Sequence, residues 1–200
     1  MKKIATALLL STAISAPAFA ADQGAYVAVD LGKVSYSDTG TTTPPSPGSV
    51  RVGGGYHFNP YVGVEAGYSI IGDATTNTSY GGFASSSETL KASSLQVSAV
   101  GTLPLNDKFN LFAKLGAANT KLDYTWTSTG IIPSSGSGSG TKTNLLIGIG
   151  AQYNINKHFG IRALYEDFGK TKVPVSYNNG STATGDFGLK VFSIGGVYNF

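Results

Sequence analysis

No cysteine occurs in the 200 residues, which excludes disulfide staples, thiol catalysis and Cys-based zinc sites. Charge is scarce: Asp, Glu, Lys and Arg make up 12% of the chain, about half the roughly 25% of an ordinary soluble protein. Long apolar runs are missing as well. Beyond the first twenty residues nothing approaches the roughly 18 consecutive apolar residues of a membrane helix, so a helical membrane protein is excluded. Disorder fits poorly, because 11 Tyr and 10 Phe supply ample ring surface to bury.

The start of the chain has the three parts of a secretory signal peptide. Met1-Lys2-Lys3 is cationic, Ile4 to Ile14 is apolar, and Ala18-Phe19-Ala20 gives a small-x-small end. Residues 1–20 are therefore expected to be cleaved, with Ala18 and Ala20 marking the cut, leaving 21–200 as one domain. Losing Lys2 and Lys3 lowers the basic count from 14 to 12 against 11 acids, so the formal charge falls from +3 to +1. The basicity belongs largely to the leader, and a nucleic-acid partner loses its main support.

What the chain does have is period-two alternation. Val62, Val64, Ala66, Tyr68 and Ile70 share one face, while Gly63, Glu65, Gly67 and Ser69 share the other. This is a strand with one apolar and one polar surface. The pattern recurs around Leu95–Leu103, Phe109–Ala117, Leu145–Tyr153, Phe159–Tyr165 and Phe192–Phe200, and two earlier segments, Tyr26–Tyr36 and Val50–Phe58, bring the expected total to eight. Connections alternate in length. Asn59-Pro60, Asn106-Asp107-Lys108 and Asn156-Lys157-His158 read as tight turns, each followed by an aromatic residue. Ser37–Ser49, Asp73–Thr89, Thr129–Lys142 and Pro174–Asp186 read as long polar loops, with Gly136 to Gly140 near low complexity. Short turns on one rim and long loops on the other are the layout of a bacterial transmembrane barrel. The expected fold class is all-β: an eight-stranded antiparallel up-and-down transmembrane β-barrel, closed because hydrocarbon tolerates no unpaired sheet edge.

Rings gather at strand ends, which predicts two aromatic girdles. Phe58, Tyr61, Phe109, Phe159 and Phe200 would form one, and Tyr36, Tyr68, Tyr80, Tyr124, Trp126, Phe168 and Tyr177 the other.

The chain resembles the small outer-membrane barrels related to the OmpA transmembrane domain and the OmpX/Ail group. Ala28-Val29-Asp30-Leu31-Gly32, Tyr61 to Tyr68 and Tyr165-Glu166-Asp167-Phe168-Gly169 carry the likeness, the last being the most specific stretch. Tyr198-Asn199-Phe200 is similar to the C-terminal aromatic signal read by the barrel-assembly machinery. The resemblance implies a monomer in the Gram-negative cell outer membrane, among bilayer lipid and lipopolysaccharide. Its role would be structural, with surface loops for adhesion or host contact. The peptidoglycan-binding domain of full-length OmpA has no counterpart here, so a cell-wall anchor is not implied.

Six charged residues fall on the polar phase in mid-strand: Asp30, Arg51, Glu65, Lys114, Arg162 and Glu166. A lumen of eight strands has room only for side chains, and buried charges need partners. A neutral salt-bridge plug is expected, with a small gated pore as the alternative. The histidines do not suggest catalysis, since His57 is expected in the lumen near a short turn and His158 within another short turn, remote from any Ser or Asp at the long-loop rim. No catalytic, cofactor or metal residue is assigned. An enzyme acting on lipid A and a soluble lipocalin-like binder are the other classes to separate. In the loops, Tyr80, Phe83, Ile131, Ile132 and Tyr177 among hydroxyls are the expected contacts for a surface macromolecule.

Overall fold

The computed structural model describes residues 23–38, 46–81, 84–130, 133–178 and 180–200. The expected signal segment, with Ala18 and Ala20, lies outside the described residues, as do Phe83, Ile131 and Ile132. Eight strands follow one another: β1 (Gly24–Asp38), β2 (Gly48–Asn59), β3 (Val62–Tyr80), β4 (Ala84–Pro104), β5 (Phe109–Thr129), β6 (Ser134–Asn154), β7 (Phe159–Tyr177) and β8 (Thr182–Asn199). Each pairs antiparallel with its neighbours, and β1 closes on β8, giving a closed up-and-down barrel.

The tight turns share one device. Asn59 Oδ1 accepts from the backbone N–H groups of Tyr61 and Val62, both at 2.9 Å. Asn106 does the same for Lys108 and Phe109, at 3.0 and 2.8 Å. Asn156 repeats it for His158 and Phe159, at 2.9 and 2.8 Å. A short amide side chain that mimics a backbone turn is the reason asparagine opens each of them.

The long connections differ from expectation. Most of Asp73–Thr89, Thr129–Lys142 and Pro174–Asp186 is strand, paired almost to the tips. Strands of up to 21 residues are about twice the 9–11 needed to cross a bilayer. Three strand pairs therefore continue beyond the bilayer as a crown. Their Ser/Thr/Gly composition suggested loops because the outward face of the crown meets water rather than lipid.

The two halves bury opposite chemistries. In the lower half Val29, Val52, Val64, Val97, Leu115, Ile149 and Ile194 point outward and are about half exposed. In the upper half the interior is apolar: Val34, Ile71, Leu90, Leu122, Leu146, Phe168, Val173 and Leu189 form one buried cluster. The strands thus read as a membrane barrel below and as apolar-cored, water-facing sheet above. Register shifts between Ile71 and Ala74, and between Asp167 and Lys170, accompany the change.

This inversion corrects four members of the outer girdle, while Tyr68 does face outward. Tyr36 and Phe168 are buried inside the barrel, and Tyr124 and Tyr177 pack against the same interior cluster. Tyr36 lies on the same strand phase as Asp30, so its inward aim follows from the pleat. At the turn rim Phe58, Phe159 and Phe200 do face outward.

Candidate functional site: a closed charge network in the lumen

Asp30, Arg51, Glu65, Lys114, Arg162 and Glu166 are all buried and meet in the lower lumen. Arg162 grips Asp30 with two prongs, Nε to Oδ1 at 2.8 Å and Nη2 to Oδ2 at 2.7 Å. Its third nitrogen, Nη1, donates to Glu65 Oε2 at 2.7 Å. Arg51 Nη1 donates to Asp30 Oδ2 at 2.7 Å, and its Nη2 to Glu65 Oε1. Lys114 Nζ bridges Glu65 Oε1 at 2.9 Å and Glu166 Oε1 at 2.5 Å. Three acids and three bases thereby share one array, each acid touching at least one base.

Three uncharged groups complete it, and the sequence reading did not include them. Tyr26 donates its hydroxyl to Glu65 Oε2 at 2.8 Å. With its nitrogen turned toward Glu166, the Gln96 amide donates to Oε1 at 3.0 Å. Its oxygen then accepts from Arg51 Nε at 2.8 Å and from Ser69 Oγ at 3.1 Å. The signal was present: Tyr26 shares the phase of Asp30, Gln96 that of Ser98, and Ser69 that of Glu65.

Glycines make the space. A Cβ at Gly67 would meet the Arg51 guanidinium at 2.9 Å, and one at Gly148 would press on Glu166 Cγ at 3.2 Å. A Cβ at Gly195 would overlap Asp30 Oδ1. Large charged side chains thus lie over bare backbone on neighbouring strands. The array fills the cross-section because the facing positions are empty.

The lumen has three storeys. Below the charges a recess of about 460 Å³ opens to the turn rim, lined by Tyr26, His57, Asn110, Phe112, Gln152 and Arg162 among others. Above them sits the apolar cluster around Phe168. The histidines stay apart: His57 stacks on Tyr26 with centroids 4.9 Å apart, and His158 on Tyr198 at 5.9 Å. Among the described residues no group of three or more His, Asp or Glu could hold a metal ion. Tyr198 also packs edge-on against Phe200 at 5.1 Å.

Glu166-Asp167-Phe168-Gly169 acquires a physical meaning. Glu166 enters the array, and Phe168 enters the apolar cluster only two positions later on the same inward phase. Asp167 Oδ1 accepts from the Gly169 N–H at 2.8 Å, while Gly169 takes φ +72°, a conformation that favours glycine. One short stretch contributes to the charge array, to the apolar cluster and to the register shift between Asp167 and Lys170.

A closed ring of eight antiparallel strands, apolar outside and filled with paired charges inside, defines an outer-membrane β-barrel. More narrowly, residues 6–200 match the family described as "Outer membrane protein beta-barrel domain", and the chain belongs to it. Outer membrane protein A of Salmonella typhi is 32% identical over 136 residues, covering 62% of this chain and 36% of that protein. The chain therefore matches little more than a third of that relative's length. Ail, the attachment invasion locus protein of Yersinia pestis, has the same fold at 19% identity and a TM-score of 0.57, with 90% of this chain and 100% of Ail covered. Neisserial surface protein A follows at 16% identity and 0.56, with 88% and 97% covered. A chain of this family sits in the outer membrane of a Gram-negative envelope.

Proposed function

We propose that this protein is a non-enzymatic, sealed and monomeric membrane anchor that displays a rigid crown to surface macromolecules. The observation that carries the reading is the continuation of β3–β8 as paired strands beyond the apolar belt. A scaffold used only to fill the bilayer needs about half that strand length. In support, Ail, which shares the fold, was crystallised with the heparin analogue sucrose octasulfate.

The outward face of the crown is hydroxyl-rich: Thr75, Thr89, Thr125, Thr127, Ser135, Ser137 and Thr141 are exposed or half-exposed. Much of its charge is already paired on the protein, as Lys91–Asp73 and Lys121–Asp123, both at 3.0 Å, and Lys190–Asp167 at 3.5 Å. Hydrogen bonds from Ser139 and Lys121 hold the Asp123 carboxyl below the usual range. Recognition is then carried by hydroxyls and rings rather than by long-range charge, and salt screens it little.

Cells with and without the protein, assayed for binding to host-matrix and cell-surface preparations across a salt series, provide the test. Binding that depends on the crown and changes little with salt is expected. Equal binding by cells lacking the protein would remove the display role.

A further inference from the structure

The crown encloses a second recess, small and chemically one-sided. Its volume is about 190 Å³, and its walls include Tyr124, Tyr177, Phe187, Leu90 and Val175, with Glu88 beside them. Glu88 is the only ionisable acid among the lining residues, and no Lys, Arg or His joins it. It has no ion-pair partner among the described residues. The rings are held in place: Tyr124 and Phe187 stack with centroids 6.3 Å apart, and Trp126 meets Tyr177 edge-on at 5.7 Å. Glycines seat them. A Cβ at Gly136 would strike the Tyr177 ring at 2.9 Å, and one at Gly185 the Phe187 ring at 2.6 Å.

We propose that this recess binds a small quaternary-ammonium group. Aromatic faces attract cations through the ring quadrupole, and cages of such rings are the usual receptors for methylated ammonium. The single carboxylate supplies the countercharge. A neutral apolar guest would strip water from Glu88 and return nothing to it. A primary ammonium is compact, strongly hydrated and brings three N–H donors. Glu88 and the Thr76 and Thr184 hydroxyls could accept from them, but the three rings with Ala74, Leu90, Val175 and Ala183 make up most of the lining and replace little of its hydration. Methyl groups on nitrogen require no acceptor and suit those walls. The volume lies below the roughly 300–1,000 Å³ of drug-sized sites, so the guest is a headgroup rather than a whole lipid. The display role neither requires this site nor depends on it.

The test uses the whole barrel folded in a glucoside detergent, because phosphocholine detergents carry the proposed ligand group. Trp126 is the only tryptophan in the chain and touches a lining ring, so its fluorescence reports occupancy. Choline chloride is titrated against its neutral carbon isostere 3,3-dimethylbutan-1-ol and against ammonium chloride. Saturable binding of choline, with both controls weaker by about tenfold or more, is expected. Glu88→Gln, nearly isosteric, should weaken choline and erase its advantage over the isostere while heat-modified gel mobility stays normal. Phe187→Leu should weaken choline as well, with the carboxylate intact. A further arm with soluble phosphocholine separates a free osmolyte from a headgroup carried on a surface, and tighter binding of either form supports the cage. Isostere binding as tight as choline, ammonium binding as tight as choline, no saturable change with choline, or unchanged affinity in a folded Glu88→Gln variant would each overturn the proposal.

Discussion

Arg162 and Asp30 are 132 residues apart in the chain, on strands that are not neighbours, yet two hydrogen bonds of 2.8 and 2.7 Å join them over the strand between. The strand between them is β8, where Gly195 lies level with both. Closure of the ring is therefore felt through side chains as well as through the backbone ladder between β1 and β8.

Removing one partner exposes the strength of that joint. Arg162→Leu takes three hydrogen bonds from Asp30 and Glu65, leaving Asp30 only Arg51 and Glu65 only Arg51, Lys114 and Tyr26 among the described residues. Losing one side of a buried pair outright costs about 3–5 kcal/mol, so the loss here should fall at or below that range. Arg162→Leu with Glu65→Leu should recover part of the loss in urea unfolding of the folded barrel. A double-mutant cycle with Asp30→Asn should give the larger coupling, because Asp30 takes two of the three bonds. Additivity in both cycles would mean that the pairs do not act as a unit.

The glycine beneath the joint is equally exposed to substitution. Gly195→Val would place its side chain on Asp30 Oδ1 and on the Val29 carbonyl. Overpacking typically costs about 1–3 kcal/mol. We expect a lower unfolding midpoint in urea for Gly195→Val, with Gly196→Val, where a Cβ meets open space, close to the parent.

In the crown, Ser134 to Gly140 pair with β5 throughout, and Gly136 to Gly138 pair with β7. Excising them removes ladder from both neighbours and the seat of the Tyr177 ring. Protease resistance of the crown should fall sharply, whereas replacing 130–133 with four other residues that favour turns should leave it unchanged. Equal resistance in the two variants would contradict the paired crown.

Membrane residence has its own readouts. The protein should withstand a salt wash of outer membranes and run faster on gels unheated than boiled, because strands survive in hydrocarbon only as a closed barrel. Phe200→Ala should slow assembly in cells and leave refolding into detergent intact, if Tyr198 and Phe200 act as an assembly signal. N-terminal sequencing of the membrane-purified chain should begin at Ala21.

Alternation made the lower barrel legible, since lipid outside and charge inside give each strand two unlike faces. The six charged residues could be placed on one phase as mutual partners, but the fork of Arg162 on Asp30 could not be read, because pairing depends on the stagger between strands. Asp30, 21 residues from Arg51 and 132 from Arg162, carries no local mark of either partner. The crown was read as loops for a different reason. Above the bilayer the outward face loses its apolar residues, and β6 there alternates only serine with glycine, so Gly136, Gly138 and Gly140 display no side chain to betray their inward phase. The inward apolar residues Leu122, Val173 and Val175 held the missing signal, on the face opposite to the one being followed.

The exchange of faces along single strands has a consequence for how the molecule comes apart. Lower segments are secured by lipid, which urea does not replace, and upper segments by burial away from water, which a change of bilayer does not touch. A thinner or more fluid membrane should loosen β1–β8 from the turn rim upward, while denaturant should fray them from the tips downward. Two perturbations would then melt the same eight strands from opposite ends, and the storey of paired charges between Asp30 and Glu166 would be the last to separate under either.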